Sequence, residues 1–204
     1  MNKGRLEAFS DGVFAVSITL LVLDVHLPPG AQVTPAALRA LLPRVAAFIL
    51  SFVIVGVYWV AHHHMLHFVR QVDRTLLWLN LLVLLCVVFI PFPASLLGTQ
   101  LTSSLAVRLY ALTLVATNSA GSLFWMYAAS QRELIDPQVT PQFARFVVRL
   151  HSSPILVYGT AVAVASWSVP ASLVLCAAVP LFFILPNPFL SNRIGTQIDT
   201  STAE

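Results

Sequence analysis

The sequence predicts an all-α, polytopic membrane protein with six transmembrane helices per subunit. Three observations carry that prediction. Of the 204 residues, 58% are hydrophobic and only 9% charged, whereas a soluble domain carries about 25% charged residues; the mean hydropathy is +0.85. The apolar residues fall into six runs, each near the ~20 residues that cross a bilayer as a helix. The runs are separated by proline, glycine and basic residues, and the basic residues favour one set of run ends.

The first run, residues 5–27, stops at Pro28-Pro29-Gly30. It holds Asp11 and Asp24 and lacks a small-residue cleavage site, so it is expected to remain as a helix of the mature protein. The second, 36–64, starts behind Thr34-Pro35, and its first turns, with Arg39 and Arg44, fit the interface. The third covers 75–97 and ends at Gly98; the fourth covers 103–130. The fifth, 146–167, and the sixth, 169–185, are separated only by Ser166-Trp167-Ser168-Val169-Pro170, which predicts a tight hairpin. A helix satisfies its own backbone hydrogen bonds, which the hydrocarbon demands. Residues 1–190 therefore form one six-helix transmembrane domain, and the polar residues 191–204 are expected to be a disordered cytoplasmic tail.

With six spans, Lys3, Arg5, Arg70, Arg74, Arg132, Arg145, Arg149 and Arg193 share one side; Arg39, Arg44 and Arg108 share the other. The excess of lysine and arginine marks the cytoplasm, so both termini are expected there. A pI near 9.2 does not point to nucleic acid, because the basic residues are scattered at helix ends. Cys86 and Cys176 lie in apolar runs and read as small buried hydrophobes with no disulfide framework.

The first helix is unusual. Arg5, Glu7, Ser10, Asp11, Ser17, Thr19 and Asp24 punctuate an otherwise apolar run. Ionisable groups inside a span are costly and normally face protein or water. Arg5, Glu7, Ser10 and Asp11 are close enough in sequence for a polar clamp that would keep Asp11 charged and paired beside an ion path. The other reading is an interfacial first turn, with acids near the positive end of the helix dipole. Val16, Leu20 and Leu23, at i, i+4 and i+7, share one face, with Gly12 and Thr19 near it. Copies of such a helix around an axis would stack apolar rings that gate by dewetting, with a ring of threonine oxygens for a partly dehydrated cation. Any apolar helix, however, shows some such stripe.

The stretch Arg-x-x-x-Phe-Ser-Asp from Arg5 to Asp11, then Gly-Val-Phe-Ala-Val and Thr-Leu-Leu-Val-Leu-Asp, resembles the signature of the bacterial homologues of the endolysosomal transmembrane potassium channel. Ser51-Phe52, Tyr58-Trp59 and His62-His63 are similar to that family's second helix; Trp78-Leu79-Asn80-Leu81-Leu82 and Pro91-Phe92 are similar to its third. The likeness covers roughly the first half of the chain, and the second half matches in span count.

The resemblance implies a multi-pass cell-membrane homotetramer of six-span subunits, with the first helix lining a potassium pathway. Its partners would be copies of itself, membrane lipids and potassium ions, with no nucleic acid and no cofactor beyond the permeant ion. It also implies a constriction of bulky apolar side chains at Val16, Leu20 and Leu23, with Thr19 linked to selectivity. Val16 stands where the family often carries isoleucine or leucine. No Thr-Val-Gly-Tyr-Gly filter occurs in the sequence. A single six-span bundle of this size offers too few polar positions to enclose its own water path, which favours assembly.

Among the remaining constellations, His63 and His67 form an i, i+4 pair, but a closed metal site needs further ligands and only Asp73 is near. No metal site is expected, and the resemblance implies instead that one histidine of the 62–67 cluster packs against Phe9-Ser10-Asp11. The cluster would also suit pH sensing. Asn80 is expected to bond across helices and brace Ser10 or Asp11. Trp59 and Trp78 fit headgroup-level anchors; the resemblance implies that they pack around the first-helix motif. No Gly-x-Ser-x-Gly, His-Glu-x-x-His or phosphate loop is present, so no enzyme is expected. A secondary transporter is the remaining alternative. Against it, the two halves show no convincing repeat, and only Pro154 hints at a broken span.

Overall fold

The computed structural model describes residues 2–185. The sequence-based boundary at residue 190 and the tail of 191–204 lie outside them. The regular elements of the described residues are helices, in the order α1 (Lys3–Leu20) with a 3-10 turn over Leu21–Asp24, α2 (Pro35–Ala40), α3 (Leu42–His67), α4 (Arg74–Phe89), α5 (Pro91–Thr99), α6 (Ser104–Ser130), α7 (Pro141–Val164) and α8 (Val169–Ile184).

The helix starts are written in side chains. Asn2, Thr34, Asp73, Ser103, Thr140 and Ser168 each accept a hydrogen bond from a backbone N–H of the first turn that follows. Such caps satisfy donors that the helix leaves open. Proline occupies the opening positions of α2, α3, α5, α7 and α8, where its missing N–H costs nothing.

Two runs expected to be continuous are broken. The second divides at Leu41, just ahead of Pro43, into α2 and α3. The third divides at Ile90, because Pro91 has no N–H to continue the ladder. Helices α4 and α5 still form one apolar crossing over Arg74–Thr99.

Among the described residues, four segments are long and apolar enough to cross a membrane: Lys3–Asp24, Leu42–His67, Arg74–Thr99 and Pro141–Val164. Helix α6, at 27 residues, is ample in length but too polar to count on hydropathy. It sits at the centre of the bundle, packed on α7, α4, α5 and α8, and Tyr110, Thr113, Thr117, Asn118, Ser122 and Trp125 are all buried there. Helix α8 has 16 residues, a rise of about 24 Å, and packs mainly on α7.

The two ends of the bundle are tied separately. At one end Lys3 Nζ donates to the His67 carbonyl at 3.1 Å, and Val69 pairs with Ile135 in an antiparallel bridge. At the other end Arg44 donates to the His26 carbonyl at 2.9 Å, and Arg108 donates to Ser166.

Candidate functional site: the first helix and its supports

Helix α1 has two faces of different character. Leu6, Ser10, Phe14 and Ser17, followed by Leu21, form a buried stripe with helical spacing. Gly12, Val16, Thr19, Leu20 and Leu23 form an exposed stripe, with Val16 56%, Leu20 40% and Leu23 67% exposed.

The buried stripe is braced by polar and aromatic contacts. Ser10 and Asn80 of α4, both fully buried, exchange hydrogen bonds: Ser10 Oγ donates to Oδ1 at 3.3 Å, and Asn80 Nδ2 donates to Oγ at 3.1 Å. Of the two partners the sequence offers Asn80, the fold brings it to Ser10. Phe14 lies against His62 of α3 at 5.6 Å between ring centroids, and His62 in turn meets Phe124 of α6 at 5.5 Å. Among the described residues, neither buried ring nitrogen of His62 has a hydrogen-bond partner. Ser17 donates to the Val13 carbonyl at 2.9 Å, so it is satisfied within its own helix.

Asp11 lies between the two faces. Its Oδ1 accepts a 2.8 Å hydrogen bond from Trp59 Nε1 of α3, and Trp59 rests beside His63 at 5.7 Å between centroids. His62 therefore meets the aromatic turn next to Phe9-Ser10-Asp11, whereas His63 reaches Asp11 only through Trp59.

Two sequence-based expectations fail. Arg5 is exposed and joins neither Asp11 nor Ser10; among the described residues the one ion pair is Lys3–Glu7 at 3.5 Å. Asp11 stands six positions after Arg5, and side chains meet along a helix at spacings of three and four. Trp78 is 63% exposed and does not pack on the motif; it lies two residues from Asn80, which at about 100° per residue puts it on the far side of α4. Phe9 is likewise exposed. The His63–His67 pair gains no third ligand: among the described residues no three His, Cys, Asp or Glu converge. Asp73 instead caps α4 and accepts from Tyr127.

The sequence reading missed the outer support. Asp24 Oδ1 accepts from Ser95 Oγ of α5 at 2.7 Å, and Arg44 Nη1 of α3 donates to the carbonyls of Asp24 and His26. It also missed Ser51–Tyr110 at 2.9 Å and Asn118–Tyr58 at 2.6 Å, which join α3 to α6. The available signal was polar side chains in otherwise apolar helices, each of which needs a partner.

These features define a multi-pass helical membrane protein built around a polar-braced first helix with one face left open. The family model described as the endosomal/lysosomal potassium channel TMEM175 matches residues 5–91. A potassium channel from Streptomyces collinus is 38% identical over 190 residues, covering 90% of this chain and 92% of the relative. The chain belongs to the TMEM175 family, which is a family of channels and not of enzymes. A crystal structure of a lysosomal potassium-selective channel TMEM175 homologue from Chamaesiphon minutus superposes with a TM-score of 0.80 at 32% identity, covering 90% of this chain and 96% of that one. The human endosomal/lysosomal proton channel TMEM175 is 29% identical over 94% of this chain, which spans 38% of the human protein.

Proposed function

We propose that the chain is the subunit of a potassium-permeable channel, a homotetramer of six-span subunits arranged around α1 in the cell membrane. The carrying observation is the division of α1. One face is fixed to α3 and α4, with Phe124 of α6 behind His62, while Gly12, Val16, Thr19, Leu20 and Leu23 form a stripe that is exposed among the described residues. In this reading Val16, Leu20 and Leu23 form apolar rings that resist wetting, and a hydrated cation crosses them only by shedding water. Thr19 Oγ1 donates its proton to the Val16 carbonyl at 2.8 Å. Its lone pairs remain free, which suits an oxygen that accepts a cation. The relatives described as potassium channels support potassium as the permeant ion.

Helices α6 and α8 complete the six spans, α6 because its polar groups are satisfied inside the bundle. The end that joins Lys3, the Val69–Ile135 bridge, Arg70, Arg74 and Arg132 carries the excess of positive charge, which supports both termini in the cytoplasm.

The test is a planar bilayer recording of the purified protein with potassium on one side and sodium on the other. A reversal potential displaced toward the potassium equilibrium value, with current that does not saturate at low millimolar ion, is expected. Saturable flux coupled to a second ion would make the protein a transporter. The human relative, described as a proton channel, motivates a second arm: under symmetric potassium and a pH gradient, a reversal potential that follows the gradient would replace potassium with protons.

A further inference from the structure

The open stripe of α1 is suspended between two supports, and the outer one is the less obvious. The α-helix gives way to a 3-10 turn over Leu21–Asp24, so Leu23 stands on a tightened turn at the helix end. The last carbonyls of a helix have no internal partner and carry partial negative charge. Here Arg44 supplies the partner: Nη1 lies 3.4 Å from the Asp24 carbonyl and 2.9 Å from the His26 carbonyl. Ser95 Oγ, 2.7 Å from Asp24 Oδ1, clamps the side chain of the same turn from α5. Arg44 and Ser95 thus hold one short segment from two helices. The two helices are themselves pressed together at this level, for a Cβ on Gly98 would come within 3.1 Å of the Arg44 Cα. Arg44 makes no ion pair with Asp24; its contacts are to main-chain oxygen.

We infer that Arg44 and Ser95 are positioning residues that set the radial place of Leu23, and with it Leu20, and thereby the aperture and ion discrimination of the constriction. The inference rests on the proposal that α1 lines the pore. Loss of either contact frees the 3-10 turn while the Ser10–Asn80 and Asp11–Trp59 contacts at the other end stay in place. Leu23 then samples a wider range of positions, and a looser apolar ring discriminates less between cations.

The experiment records single-channel conductance and the potassium-to-sodium permeability ratio for Ser95→Ala, Arg44→Gln, Arg44→Lys and Leu23→Ala, with the size-exclusion profile of each. Ser95→Ala and Arg44→Gln are expected to keep the wild-type profile and to lower the permeability ratio roughly threefold or more, the scale set by one lost hydrogen bond. Arg44→Lys is expected to behave like Arg44→Gln, because a shorter side chain does not reach both carbonyls. Wild-type permeation in Arg44→Lys would overturn the inference and make Arg44 a charge at the pore mouth. Wild-type permeation in both Ser95→Ala and Arg44→Gln, with Leu23→Ala altered, would remove the positioning role and leave the pore intact. An unaltered Leu23→Ala would instead remove α1 from the pore. If Arg44→Gln does not assemble, Ser95→Ala, which deletes one hydroxyl, decides the matter.

Discussion

Helices α1 and α6 both carry more polar side chains than a lipid-facing helix accepts, and they place them differently. Helix α6 buries fourteen of its 27 residues, and each buried polar group among Tyr110, Thr113, Thr117, Asn118, Ser122 and Trp125 has a partner. Helix α1 buries four of 18 and braces one face only. Its other face is largely exposed among the described residues. Polar residues that close on one another build a scaffold. A helix held on one side and open on the other presents a surface to something outside the subunit.

The sharpest way to break this comparison is to truncate the scaffold. Trp125 is fully buried, donates to the Ala144 carbonyl at 3.1 Å and meets Phe68 edge-on. Trp125→Ala should cost about 3–5 kcal/mol, and thermal unfolding in detergent should show a large fall or no folded protein. A normal melting temperature would mean that α6 is not the centre of stability.

Next in size is Ser10→Ala. It leaves the Asn80 side chain buried and unpaired, an expected loss of about 1–3 kcal/mol. The double change Ser10→Ala with Asn80→Leu should recover part of that loss, because both partners of the bond are gone. No recovery in the double variant would indicate that the pair acts through something other than its mutual hydrogen bond.

Asp11→Ala should be milder, about 1 kcal/mol, because Trp59 is 40% exposed and its N–H can find another acceptor. A lower yield of the proposed tetramer by size exclusion, with ion preference kept by the assembly that forms, is the expected result. A full yield of tetramer with changed ion preference would move Asp11 from the scaffold to the pathway.

The smallest effect on stability belongs to the open face. Leu23→Ala, at a side chain 67% exposed, should leave the melting temperature and the assembly near wild type, within roughly 0.5 kcal/mol. If α1 lines the pore as proposed, potassium flux should rise, because the smaller side chain widens the constriction. Unchanged flux in Leu23→Ala and Leu20→Ala together would return this face to the lipid.

Hydropathy made the spans legible, and Pro28, Thr34 and Ser168 marked their ends. The sequence also set Asn80 against Ser10, because a buried amide in an apolar helix must find a polar partner. Other parts were not legible as read. The Arg5–Asp11 clamp was inferred from nearness in the chain, although a six-residue step points the two side chains away from each other. Trp78 was grouped with Asn80, although a two-residue step sends it to the opposite face. Arg44 passed as an interfacial charge because nothing local shows that its acceptors are carbonyls twenty residues earlier. Contacts between helices depend on rotation and depth, which one sequence leaves free.

The short helix α8 has a consequence for the bilayer itself. Its 16 residues span about 24 Å against a hydrocarbon core of about 30 Å. Trp167, at the tip of the α7–α8 hairpin and 83% exposed, suits the headgroup level. Helix α7, at 24 residues, is long enough for the core, so in the six-span reading the mismatch falls on α8 alone. In that reading the elastic cost of thinning the bilayer around α8 grows with acyl-chain length, so thicker lipids strain the edge that α8 forms.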